Sequence, residues 1–226
     1  MNILLVVATT FESQQLQQAF PFEKEEDWYV CDFKGGKLFL LHTGIGMTST
    51  AFMLGRFLTL RKVDLAINFG IAGSFDTKIK LGEVLEIRED SFAELGAEDE
   101  EKWLNLRDLG FAQFTQENNS YYNTFSNPSP ALFDIPKCKG ITVNRTHGHI
   151  PSIEKSQQYW PVQVETMEGA AFFHAMIRSG ISFYAFRSIS NYVEKRNKAA
   201  WELPMAIKNI QTWIQEKLHE GAFHKG

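Results

Sequence analysis

KLFLLHTGIGMTSTAFMLGRFLTLRKVDLAINFGIAGS, Lys37 to Ser74, carries the pattern that decides the fold. Its two apolar runs, KLFLLHT and DLAINFG, are short and continuous, as strands buried on both faces are. Between them Gly44 and Gly46 mark a turn, and Met47 to Leu60 sets Ala51, Leu54, Phe57 and Leu58 at helical spacing. Arg56 and Arg61 are left for the wet side. A strand, a glycine turn, a crossover helix and a second strand follow from this stretch alone.

Outward from it the same alternation continues. NILLVVA before it and GEVLEI, GITVN (Gly140 to Asn144) and FYAFRSIS after it read as further strands. Helical patterns cover Phe11 to Ala19 and Glu168 to Ile177, the latter stopped by Gly180. A last helix carries Pro204 in its first turn and Ile207, Ile210, Ile214 and Leu218 on one stripe, and the tail beyond Gly221 is expected to fray. Ala97 to Lys102 and Asn118 to Pro130 read as solvated loops. The expected fold is a single α/β domain over residues 1–226, a sheet with helices on both faces and its ligand at the carboxyl ends of the strands.

With 23 basic residues against 27 acidic ones, a net charge of −4, the chain has no electrostatic footprint for nucleic acid or an anionic membrane. A small-molecule partner is expected instead. The run Ile3 to Ala8 is too short for a membrane span and has no basic leader. Cys31 and Cys138 stand far apart, which favours a reducing compartment, the cytoplasm.

Four segments can carry chemistry. Glu12 follows the first strand, where a carboxylate can serve as general base on water or simply complement the start of the helix from Phe11 to Ala19. Asn68 to Ser74, NFGIAGS, lets backbone groups approach a flat ligand edge; it contains no Lys, Arg or Thr and no nucleotide fingerprint, so phosphate is disfavoured and a structural turn stays open. Val164 to Ala175 sets Glu165 and Glu168 around a strand-to-helix turn, where a carboxylate can accept a ribose diol's two hydroxyls or serve only the helix start. Ser190 and Asn191 end a strand, with Trp201 ten positions on; the amide can read two adjacent atoms of a base edge or act as a turn residue. His147 and His149, an H-x-H pair beside Pro151 without an acid cluster, are expected to face solvent, and no metal is assigned.

In this order the four segments resemble the nucleoside phosphorylase and nucleosidase family, from Met1 to the last helix, with residues from about 92 to 136 a variable middle. The resemblance implies a central mixed twisted sheet flanked by helices on both faces, a purine nucleoside as substrate, no cofactor, and a homodimer or higher homo-oligomer. It implies Glu12, Glu168 and Asn191 as catalytic residues: Glu12 for the attacking water, Glu168 beside Met167 for the ribose, and Asn191 beside Ser190 for the base. Ile71, Ala72 and Gly73 would line the base pocket, with Trp201 flanking it.

Two departures narrow the choice. Members acting on adenine compounds carry Asp at the position of Asn191, whereas an amide can donate to O6 of a 6-oxopurine and accept from its protonated N7. Phosphorolytic members place Arg and Ser where this chain has Asn68 and Ile71, which favours water as nucleophile. With TMEGAAF and RSISNYVEKRN, the resemblance points to hydrolysis of futalosine to hypoxanthine, on a route to menaquinone.

Overall fold

Every residue of ILLVV, Ile3–Val7, is buried, and it forms strand β1 at the middle of the sheet. In the computed structural model, which describes residues 1–111, 120–121 and 123–224, β1 leads through a short turn to α1 (Gln14–Ala19) and then to β2 (Glu23–Glu25), β3 (Trp28–Phe33) and β4 (Gly36–His42). Helix α2 (Met47–Leu60), with the bounds expected from the sequence, crosses over to β5 (Leu65–Ser74), which runs on through Asn68 to Ser74, read from sequence as a glycine loop, because β13 pairs with it up to Ser74. There follow β6 (Val84–Phe92), β7 (Ala97–Asp99), β8 (Lys102–Leu104), β9 (Ser120–Tyr121), β10 (Thr124–Ser126) and β11 (Lys137–Thr142). Helix α3 (Ile150–Tyr159), β12 (Val164–Thr166), α4 (Gly169–Ser179), β13 (Ser182–Tyr192) and α5 (Leu203–Glu220) complete the order.

The sheet is mixed. β1 runs parallel to β4 and β5, β5 is parallel to β13 and antiparallel to β12, and β13 also pairs antiparallel with β6. Because β11 joins β12 to β6, the strands β5, β12, β11, β6 and β13 close into a barrel at one end of the sheet. Helices cover both faces. On one, α2 and α4 bury Leu54, Phe57, Phe172, Phe173 and Met176; on the other, α1 and α5 bury Leu16, Ile210, Ile214 and Leu218. Among the described residues no helix is long and apolar enough to cross a membrane.

Several expectations need correction. The helix from Phe11 to Ala19 is broken: Thr10–Glu12 is a 3-10 turn and α1 starts at Gln14, because the buried Ser13 hydroxyl bonds His42 Nε2 at 2.7 Å and leaves the helical path. On α2 the inner stripe includes Thr50 in place of Ala51, which is exposed; the Thr50 hydroxyl reaches Thr43 Oγ1 at 3.3 Å. Arg61 lies over the Trp28 ring, 5.0 Å from its centre, and pairs with Glu25. The strand expected at GITVN starts earlier, at Lys137, and ends at Thr142.

Neither expected loop is one throughout. Ala97 to Lys102 lies largely in the β7–β8 hairpin, held because the Trp103 ring packs edge-on against Trp160 at 5.2 Å and the Trp103 backbone N–H donates to the Tyr159 hydroxyl at 3.0 Å. Of Asn118 to Pro130, residues 118, 119 and 122 lie outside the described residues, while Thr124–Ser126 pairs with β6 and Phe125 enters the core.

The tail also departs from expectation. Gly180 and Gly221 do cap α4 and α5 in the left-handed conformation, yet after Gly221 the chain makes another turn, Ala222–His224. Phe223, 2% exposed, packs 5.3 Å from Phe133 and beside Tyr184 and Phe186. A terminal aromatic buried this deeply holds its turn against the core. Phe223→Ala is expected to lower the unfolding free energy by about 3 kcal/mol in urea denaturation, as for other core Phe truncations; a change below about 0.5 kcal/mol would restore the frayed tail.

Candidate active site

The carboxyl ends of β1, β5, β12 and β13 open onto a cavity of about 480 Å³. All nine residues expected at the site line it: Glu12, Ile71, Ala72, Gly73, Met167, Glu168, Ser190, Asn191 and Trp201. Phe11, Ile45, Leu203 and Ile207 add apolar walls, and His147 and Glu165 join the polar ones.

Glu12 closes the turn after β1 and also lines the cavity. Its Oε2 accepts from the N–H and the hydroxyl of Thr9, each at 3.0 Å, which closes the turn after β1, and its Oε1 is 3.4 Å from the Ile71 N–H. The carboxylate is thereby fixed over β5 with one oxygen toward the cavity. Such an approach requires glycine at position 70, since a Cβ there would stand 2.5 Å from Oε1.

Glu168 occupies the N-cap position of α4 without capping it. Hydroxyls from two neighbouring strands do that work: Thr166 Oγ1 accepts from the Gly169 N–H at 3.2 Å, and Thr142 Oγ1 accepts from the Ala170 N–H at 2.7 Å while donating to Asp90 Oδ1 at 2.8 Å. The Glu168 carboxylate is released to face the cavity, and its Oε1 accepts from the Gly46 N–H at 2.9 Å. Gly46 presents that N–H with φ at 95°, a conformation that favours glycine. Burial raises the Glu168 pKa above the ordinary carboxylate range, opposed by the Gly46 hydrogen bond and the charge of Arg187.

At the other wall a β-bulge between Ile189 and Asn191 lets Asn191, and not Ser190, align with Gly73. Bulges re-aim side chains in this way beside binding sites. The Ser190 hydroxyl donates to Asn191 Oδ1 at 2.8 Å, and Asn191 Nδ2 donates to the Tyr192 carbonyl at 3.0 Å. One N–H and one lone pair of the amide stay available to a ligand. Trp201 is stacked under the Arg196 guanidinium, 5.0 Å from its ring centre, and the next N–H, of Glu202, is tied to the Ser190 carbonyl at 2.8 Å.

His147, Arg187 and Asp90 were not assigned to this site from sequence. His147 does not face solvent as expected: its ring Nδ1 bonds Glu165 Oε2, and its backbone N–H donates to Glu165 Oε1 at 3.0 Å. His149 behaves as expected, exposed at the N-cap of α3. Arg187, 2% exposed, is buried among the charges of Glu168, Asp90 and Glu12, and donates to the Phe186 carbonyl and Asn68 Oδ1. Its signal was a charge inside the apolar run FYAFRSIS. The amide of Asn68 is occupied by Arg187 and by the Val6 carbonyl, to which it donates at 3.0 Å.

Asp90 lies beneath this cluster against Gly169, fully buried, with Oδ2 unpartnered among the described residues. Burial pushes its pKa up to about 7, against the lowering effects of Thr142 and Arg187. A carboxyl whose folded pKa is raised stabilises the fold fully below its unfolded pKa, and that contribution is lost as pH rises through the folded value. Wild-type stability is therefore expected to fall between about pH 4 and pH 7 through Asp90, and Asp90→Asn to flatten the urea midpoint over that window. An unchanged slope would mean that Asp90 does not titrate there.

An apolar cavity at the strand ends, lined by Glu12, Glu165, Glu168 and the Asn191 amide, has the form of a site for a small organic ligand. A family model described as the phosphorylase superfamily matches residues 2–120, more than half of the chain, and the chain belongs to that family. It is 27% identical over 193 residues to a futalosine hydrolase of Thermus thermophilus, spanning 83% of this chain and 84% of the relative. To a futalosine hydrolase of Streptomyces coelicolor it is 26% identical over 221 residues, 92% of this chain and 91% of the other. Among solved structures, an S-adenosylhomocysteine nucleosidase of Streptococcus pyogenes in complex with 5-methylthiotubericidin superposes with a TM-score of 0.81 at 17% identity, covering 97% of each chain.

Proposed function

We propose that this protein hydrolyses the N-glycosidic bond of futalosine, releasing hypoxanthine and leaving the dehypoxanthine product. The observation that carries the reading is that Glu12, Glu168 and Asn191 line one cavity of about 480 Å³, a size suited to a nucleoside. Support comes from the futalosine hydrolases of Thermus thermophilus and Streptomyces coelicolor, which the chain matches over 84% and 91% of their lengths.

Cleavage builds positive charge on the ribose and negative charge on the base, and only groups that bind this state better than the substrate speed it. Glu12, anchored by Thr9, orients and deprotonates water on the face of the sugar opposite the base. Glu168 accepts from the ribose hydroxyls and offsets the sugar's charge. Asn191 donates to O6 and accepts from N7 once that atom is protonated in the departing base. Water is favoured over phosphate because Asn68, at the position where phosphorolytic members carry Arg, has its amide engaged with Val6 and Arg187.

The likeness to an S-adenosylhomocysteine nucleosidase fits the same bond with adenine as the leaving base, and Asn191 favours the 6-oxo alternative. A cytoplasmic location, from the two isolated cysteines, and a homodimer or higher homo-oligomer, as the sequence resemblance implies, accompany this reading. With futalosine as substrate, Glu12→Gln and Glu168→Ala are each expected to lower kcat by at least about 10²-fold, the scale for losing a positioned acid or base. Turnover near that of the wild type in either variant, followed by chromatography of released hypoxanthine, would remove that residue from the mechanism.

A further inference from the structure

Gly73 has two neighbours in its row of the sheet: Asn191 on β13 and Glu165 on β12. Aligned residues on adjacent strands project to the same face, and two strand spacings separate their Cα atoms by about 9–10 Å. Gly73 itself contributes no side chain, and the space it leaves is taken by a Val193 methyl and the Asn191 amide, 3.0 and 3.2 Å from where a Cβ would stand, so a base has its berth beside the amide, in the cavity that Asn191, Glu165 and His147 line. One side of that berth is the Asn191 amide. The other is the pair of Glu165, whose side chain is 3% exposed, and His147, whose side chain is 18% exposed.

Both oxygens of Glu165 are turned to His147, one to its backbone N–H and one to ring Nδ1. An ionised carboxylate only accepts hydrogen bonds, so Nδ1 carries the proton, and in the neutral ring Nε2 presents a lone pair. Among the described residues no hydrogen-bond partner is recorded for Nε2, and His147 lines the cavity. The Phe75 ring, edge-on at 6.3 Å, flanks the imidazole.

We propose that His147, its tautomer fixed by Glu165, accepts the N1–H of the purine and so selects a 6-oxo over a 6-amino base. The proposal rests on the nucleosidase reading above. A 6-oxopurine has a proton on N1 and an acceptor at O6, whereas a 6-aminopurine has a bare N1, which would set lone pair against lone pair at His147. Asn191 and His147 thus read the N7, O6 and N1 positions from the two sides of Gly73. A site built to pair with a ligand N–H rejects an analogue that lacks it, because its own buried polar group is then left without a partner.

The test compares kcat/KM for hypoxanthine release from futalosine with that for adenine release from its 6-amino counterpart, in the wild type, His147→Phe and Glu165→Gln. His147→Phe keeps a ring and removes both nitrogens. Glu165→Gln can donate to Nδ1, which moves the ring proton to Nε2 and turns the acceptor into a donor. The 6-oxo over 6-amino ratio is expected to fall at least about tenfold in each, with thermal unfolding to verify that both variants are folded. If the wild type prefers the 6-oxo base and both folded variants keep that preference, the assignment to His147 is overturned while the nucleosidase reading stands. Should the wild type release no hypoxanthine at all, the reading itself falls, and this assignment with it.

Discussion

A guanidinium buried in the middle of a sheet sets the terms for everything around it. Arg187 is enclosed on β13, where burial depresses its pKa and the charges of Glu168, Asp90 and Glu12 offset that effect. Taking a lone charge out of water costs several kcal/mol unless opposite charges and acceptors surround it. The chain answers with the Phe186 carbonyl and Asn68 as direct acceptors and with acids brought in on separate elements, the turn after β1, the start of α4 and β6. Of the acids that surround the buried cation, Glu12 and Glu168 are the ones that face the cavity.

That arrangement works only because secondary structure is completed by groups other than the functional ones. A glutamate at a helix start is ordinarily absorbed into capping. Here Thr142 and Thr166 take the first N–H groups of α4, and Glu168 is left to the cavity and Gly46. On the opposite wall the bulge in β13 aligns Asn191 with Gly73 and frees the amide edge. The barrel closure through β5, β12, β11, β6 and β13 brings strand ends distant in sequence to one rim, so residues from 12 to 201 meet around a single ligand berth.

Much of this was legible in the sequence, and the limits have physical causes. The strand–helix–strand unit from Lys37 to Ser74 could be read because its apolar periodicity is unambiguous and its helix is bounded by glycine and by Arg61. Glu12 and Glu168 were legible because each follows a strand at a turn, and Asn191 because it lies near the carboxyl end of one, where side chains reach ligands. His147 was not, since a loop histidine has no period to betray its partner, and Glu165 lies 18 positions away on a strand only three residues long. Barrel closure was hidden for a related reason: it depends on β13 pairing with both β5 and β6, a contact between distant segments. The buried Phe223 was read as tail because one aromatic after a helix-ending glycine carries no pattern of its own.

The most direct test of the account is the chromatography of bases released from futalosine, inosine and methylthioadenosine by the purified protein, each with and without phosphate. The account predicts hypoxanthine from futalosine at a rate independent of phosphate. Adenine released from methylthioadenosine in preference, or cleavage of inosine that requires phosphate, would contradict it.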